Sequence, residues 1–67
     1  MKFKTLIYEK YHTNFNALSV KSGVPVTTLR NINERDSFFN TKISIILKIA
    51  YALGVSVDDM IYEMKKD

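Results

Sequence analysis

Between Phe15 and Glu34 the sequence FNALSVKSGVPVTTLRNINE holds two short apolar patterns separated by Gly23, Val24 and Pro25. This break constrains the chain more than any other feature. Leu18 and Ser22 lie four apart, as do Ser19 and Gly23, so the first half makes a short helix with one narrow face. Leu29 and Ile32 lie three apart and give the second half its own inward stripe. Gly23 supplies a left-handed C-cap at no steric cost, and Pro25 presets the backbone for a new helix. Two short helices joined by a tight, Gly-containing turn form a helix-turn-helix, here over about residues 14–34. Most such pairs are only packing units, so this geometry alone leaves DNA binding open.

Size decides how the core must be made. Sixty-seven residues suggest a single domain over 1–67, and one this small buries only about 60% of its unfolded surface. With no cysteine, neither a disulfide nor a thiolate-bound zinc can staple it, so packed helices must supply the core. The apolar content of 46% suffices for that. The run from Ile43 to Leu53 is interrupted by Ser44 and Lys48 and is too short to span a bilayer. No signal-peptide-like apolar stretch follows the N-terminal lysines, so a cytoplasmic protein is expected.

Periodicity divides the chain into five helices. Lys2 to about Tyr11 is the first, with Phe3, Leu6, Ile7 and Tyr11 at inward spacing. His12 falls in a loop, and Asn14 is a good N-cap for the second helix. The third should run from about Pro25 to Asn33, with ERDSFFNT after it reading as loop. One of Phe38 and Phe39 is expected to tuck under helix four. That helix, about Thr41 to Leu53, places Ile43, Ile46, Leu47, Ala50 and Leu53 on one face and Ile45, Ile49 and Ala52 on another. Being apolar around much of its circumference, it reads as a central buried helix. Gly54 caps it, Ser56 caps helix five, and Asp58 and Asp59 suit the positive end of that helix. Met60, Ile61 and Met64 would close the core.

The order Leu18, Ser19, Gly23, Val24, Leu29, Ile32 resembles the helix-turn-helix of the Cro/repressor type, the xenobiotic-response-element (XRE) family. The segment ILKIAYALGVSVDDMI, Ile46 to Ile61, is similar to the fourth helix, turn and fifth helix of the same fold. The resemblance covers about Phe3 to Met64. It implies an all-α, compact five-helix bundle of the lambda-repressor-like or Cro-like kind, and a small bacterial or phage transcriptional regulator that binds operator DNA as a dimer. Three departures stand out. An Arg–Glu ion pair frequent in the family is replaced by Tyr8 and Asn33, and Phe15 stands where Gln often contacts the DNA backbone. The loop after helix three lacks the usual glycine and is about two residues longer.

Charge is consistent with a polyanionic partner. Residues 1–48 carry eight Lys and Arg against three acids, a net of +5, whereas residues 49–67 carry a net of −2. A helix fits the major groove and reads bases mainly from its N-terminal part. Val26 can pack on a thymine methyl, Thr27 can bond a base edge, and Asn31 can make a bidentate contact to adenine. Thr28, Arg30, Arg35, Lys42 and Asn14 are phosphate candidates, the last through the amides of a helix N-terminus. Phe38, Phe39, Ile45, Ile49 and Tyr62 are the apolar residues least needed by one core and are candidate dimer contacts. Neither a metal-ligand cluster nor a phosphate-cradling glycine loop is present, so no enzyme activity, cofactor or small-molecule ligand is expected. The alternative is a protein-interaction module on the same fold, an antirepressor or antitoxin-like regulator that binds another protein.

Overall fold

Phe3 is where the helices meet, and the first helix is built to bury it. In the computed structural model, which describes residues 1–65, α1 starts as an α-helix over Phe3–Thr5 and continues as a π-helical turn over Leu6–Lys10. Four further helices follow: α2 (Phe15–Ser22), α3 (Val26–Arg35), α4 (Ile43–Leu53) and α5 (Val57–Lys65). Among the described residues there is no strand. Lys66 and Asp67, counted above in the C-terminal charge, lie outside the described residues.

The wider turn in α1 closes on the bond from the Tyr11 amide to the Leu6 carbonyl, 3.0 Å. It brings residues five apart onto one face. Phe3, Leu6 and Ile7 are buried as their spacing predicts, and Tyr11 packs half-buried beside them. Burial raises the Tyr11 phenol above its ordinary pKa, and the carboxylates of Glu63 and Asp59 push it the same way. Lys10 and Glu63 also pair across α1 and α5 at 3.6 Å. As a surface pair this contributes at most about 1 kcal/mol.

Helix α2 begins as expected, with Asn14 extended and its Oδ1 accepting from the Ala17 amide at 2.8 Å. It ends at Gly23, whose φ of +77° is left-handed. A Cβ built there meets nothing within 4 Å. A Cβ at 23 is therefore opposed by backbone strain, about 1–2 kcal/mol for an ordinary residue, and not by contact with α2 or α3. Ser22 Oγ accepts from the Val24 amide at 3.1 Å, and Val24 inserts fully into the core. Pro25 sits outside α3 as its cap, its carbonyl accepting from Thr28 and Leu29.

Helix α3 runs two residues beyond the expected Asn33 because Asp36 terminates it in a left-handed conformation, φ 53°. Asp is among the few residues other than Gly that tolerate this region, so it can end the helix without a glycine. The Asp36 carboxylate also accepts from the Phe3 amide at 2.7 Å and caps α1 from 33 positions away. Asp36→Ala loses both roles and should cost about 2 kcal/mol. Asp36→Asn, which keeps an acceptor and the left-handed tolerance, should cost clearly less; equal losses in urea melts of the two would remove the capping role.

The aromatic loop packs differently from expectation. Phe38 folds onto α1, edge-on to Phe3 at 5.7 Å, and Phe39 stays 73% exposed. Helix α4 is half-exposed rather than central. Ile46, Ile49, Ala50 and Ala52 are buried with Ile45 and Leu53 packed behind them, whereas Ile43 and Leu47 face outward with Tyr51. Of the first expected face, Ile46, Ala50 and Leu53 do turn inward, and only Ile43 and Leu47 do not. Ile45, Ile49 and Ala52 of the other face all lie in or against the core. Gly54 ends α4 at φ 73°, and Ser56 Oγ accepts from the Asp59 amide at 3.1 Å. Met60 and Met64 close the core, but Ile61 does not join them. It lines a groove with Phe38, Phe39 and Met64 between the loop and α5.

Candidate nucleic-acid interface

The inward stripe of α3, Leu29 and Ile32, is wholly buried, and α2 packs against this helix from behind. That leaves one free long face. Thr27 and Asn31, four apart, are exposed along it, and Glu34 extends the same stripe by three residues. Arg30 is exposed on one side and Arg35 on the other. Val26 and Thr28 are half-buried at the helix start, so each offers only part of its side chain.

The flanking groups fall into two sets. Arg30 borders a shallow depression shared with Lys4, Tyr8, Phe15, Asn33 and Glu34. Lys4 Nζ lies 5.7 Å from the centre of the Tyr8 ring, which meets Phe15 edge-on at 5.3 Å. On the other side Arg35 Nη2 donates to Thr41 Oγ1 at 3.2 Å, which ties the end of α3 to the loop, and Lys42 is exposed at the start of α4. Two of the phosphate candidates, Arg30 and Arg35, thus bracket the Thr27–Asn31 face, and Lys42 follows the loop residue that Arg35 holds. Asn14 is exposed at the head of α2, but its carbonyl oxygen is spent on its own helix.

Two of the residues noted above, Phe15 and Tyr8, have a clear place in the packing. Phe15 is buried, stacked on Phe3 at 5.8 Å with the ring planes 19° apart. It therefore serves the core and cannot hydrogen-bond a phosphate. Tyr8 packs its ring edge-on against Phe15 at 5.3 Å.

Of the dimer-contact candidates, Ile49 is withdrawn, being 0% exposed. Ile45 and Phe38 are half-buried against their own core and are likewise poor contacts. Phe39 and Tyr62 remain outward. Sequence reading missed Lys4 beside the Tyr8 ring and Glu34 on the outer stripe of α3. The second was available from its spacing to Thr27 and Asn31, had the helix not been ended at Asn33.

Among the described residues no cluster of His, Cys, Asp and Glu could hold a metal ion, and no helix is long and apolar enough to cross a membrane. No protein-family model matches the chain, and no curated protein or solved structure matches it either.

Proposed function

We propose that the chain is a Cro/repressor-type helix-turn-helix protein that binds double-stranded DNA in a sequence-dependent way and has no catalytic step. The observation that carries this reading is the outer face of α3. It is polar, unobstructed and opposite the buried Leu29–Ile32 stripe, with cations on both flanks. In the major groove Asn31 would bond adenine, and Thr27 would meet a neighbouring base edge. Arg30, Arg35 and Lys42 would hold the phosphates on either side, a register-setting role that carries no sequence information. Glu34 is opposed by phosphate but can accept from the cytosine amino group, so it would narrow the choice of base.

Two copies would bind half-sites one helical turn apart, roughly 34 Å. The fold measures 28 × 26 × 21 Å along its principal axes, comparable with that spacing, so two neighbours would lie close enough for outward side chains to touch. Phe39 and Tyr62, 73% and 65% exposed, are the dimer-contact candidates that remain outward. A small contact of this kind would form mainly once DNA aligns the pair.

Selection from a randomised duplex library, followed by footprinting of the winners, tests the reading. A near-palindromic pair of half-sites about one turn apart is expected. An unenriched pool would overturn sequence-dependent binding, and a single asymmetric footprint would overturn the dimer.

A further inference from the structure

The outer face of α4 has no role in the DNA-binding reading, yet it is the most apolar exposed helix surface of the fold. Ile43, Leu47 and Tyr51 follow one another at four-residue spacing and are 64%, 52% and 89% exposed. Isolated exposed apolar residues are ordinary, but three in register on one helix form a continuous strip. Beside it, the end of α2 and α4 enclose a shallow groove lined by Lys21, Ser22, Leu47, Lys48 and Tyr51.

Charge identifies the occupant. From Lys10 to Asn33 and again from Ser37 to Val57 the sequence contains no Asp or Glu, so α2 and α4 are free of acids. The cations that edge the groove, Lys21 and Lys48, lie on the surface, and among the described residues no carboxylate pairs with them. A second copy applied face to face would bring four lysines together with no acid of α2 or α4 between them, a like-charge arrangement that disfavours self-pairing. Duplex DNA would satisfy the lysines but leave the Ile43–Leu47–Tyr51 strip against phosphates.

We infer that this face is a docking site for an acidic amphipathic helix of another protein. Its apolar anchors, at three- and four-residue spacing, would lie along Ile43, Leu47 and Tyr51, and its flanking carboxylates would reach Lys21 and Lys48. The inference is independent of DNA binding, since it uses none of the residues assigned to the DNA-facing surface.

The test is a display selection of helical peptides randomised on their outward positions, with recovered peptides titrated by fluorescence anisotropy. Recovered peptides should combine apolar residues at i, i+4 and i+7 with Asp or Glu at the flanks. Leu47→Glu and Tyr51→Glu, both exposed changes that should leave the helical circular dichroism intact, should each abolish binding. The double variant Lys21→Glu/Lys48→Glu should weaken binding by about tenfold. Peptides without acidic enrichment, or equal binding to Leu47→Glu and Tyr51→Glu, would overturn the proposal. Binding of wild-type protein to phosphatidylserine-containing vesicles that Leu47→Glu removes would replace the partner with a membrane surface. Efficient disulfide pairing of a Leu47→Cys variant with itself would replace it with a second copy.

Discussion

Phe3→Ala is expected to leave much of the protein unfolded at room temperature. Phe3 is 0% exposed and joins three parts of the chain: its ring stacks on Phe15 at the head of α2 and meets Phe38 of the loop edge-on. Removing a buried phenyl ring costs about 3–5 kcal/mol, including the cavity left behind. The two ring contacts add geometric preference worth about 0.5–1.5 kcal/mol each, part of which is contained in that loss. A 67-residue domain has only about 3–10 kcal/mol of stability in total. The substitution therefore removes a large share of it. Urea unfolding followed by circular dichroism should show a collapsed midpoint for Phe3→Ala, a smaller shift for Phe3→Leu, and almost none for Tyr51→Ala on the surface. A loss under about 1 kcal/mol for Phe3→Ala would mean that the aromatic cluster does not hold α1, α2 and the loop together.

Much of this fold is legible locally. The spacing of Phe3, Leu6 and Ile7, and of Leu29 and Ile32, is enough to place them inside. Asn14, Gly23, Gly54 and Ser56 mark helix ends through their own side-chain and backbone chemistry. Two features are hidden for opposite reasons. Asp36 caps α1 across 33 positions, a contact that no local pattern contains. Helix α4 carries apolar residues nearly all round, so periodicity offers two inward faces and the neighbouring helices choose between them. That choice turned Ile49 inward and Ile43 and Leu47 outward.

The site shows the same division. Thr27 and Asn31 are exposed together because Leu29 and Ile32 are buried, so the reading of one face fixes the other. Glu34 was lost with the last turn of α3, whose length depends on the unusual backbone at Asp36. Phe15 was legible as an unusual residue for the head of α2 only through the resemblance. Its destination, a stack on Phe3, depends on where α1 crosses the head of α2.

Asn31→Ala is the second large effect expected. Asn31 is exposed on the same stripe as Thr27, so its removal leaves the fold untouched and stability should change by no more than about 0.5 kcal/mol. On the preferred duplex, however, loss of a bidentate contact to adenine should cost about 1–3 kcal/mol and relax the choice at one base pair. Lys42→Ala should instead weaken preferred and random duplexes alike, because a lysine at a phosphate carries no base information. Arg35→Ala should do the same and also free Thr41, since that guanidinium holds the loop as well as offering charge. Equal weakening of both duplexes by Asn31→Ala would mean that Asn31 contacts backbone and not bases.

The most direct measurement of the central claim is a titration of the wild-type protein on its selected duplex and on random duplex at several salt concentrations. Sequence-dependent groove binding predicts a selected-site affinity at least about 10³-fold above random, with both falling linearly as log salt rises. Lys42→Ala should lower that slope by about one unit, and Asn31→Ala should leave the slope in place while shrinking the gap between the two duplexes. Equal affinity for selected and random duplex, or binding indifferent to salt, would contradict the assignment of α3 as a DNA-reading helix.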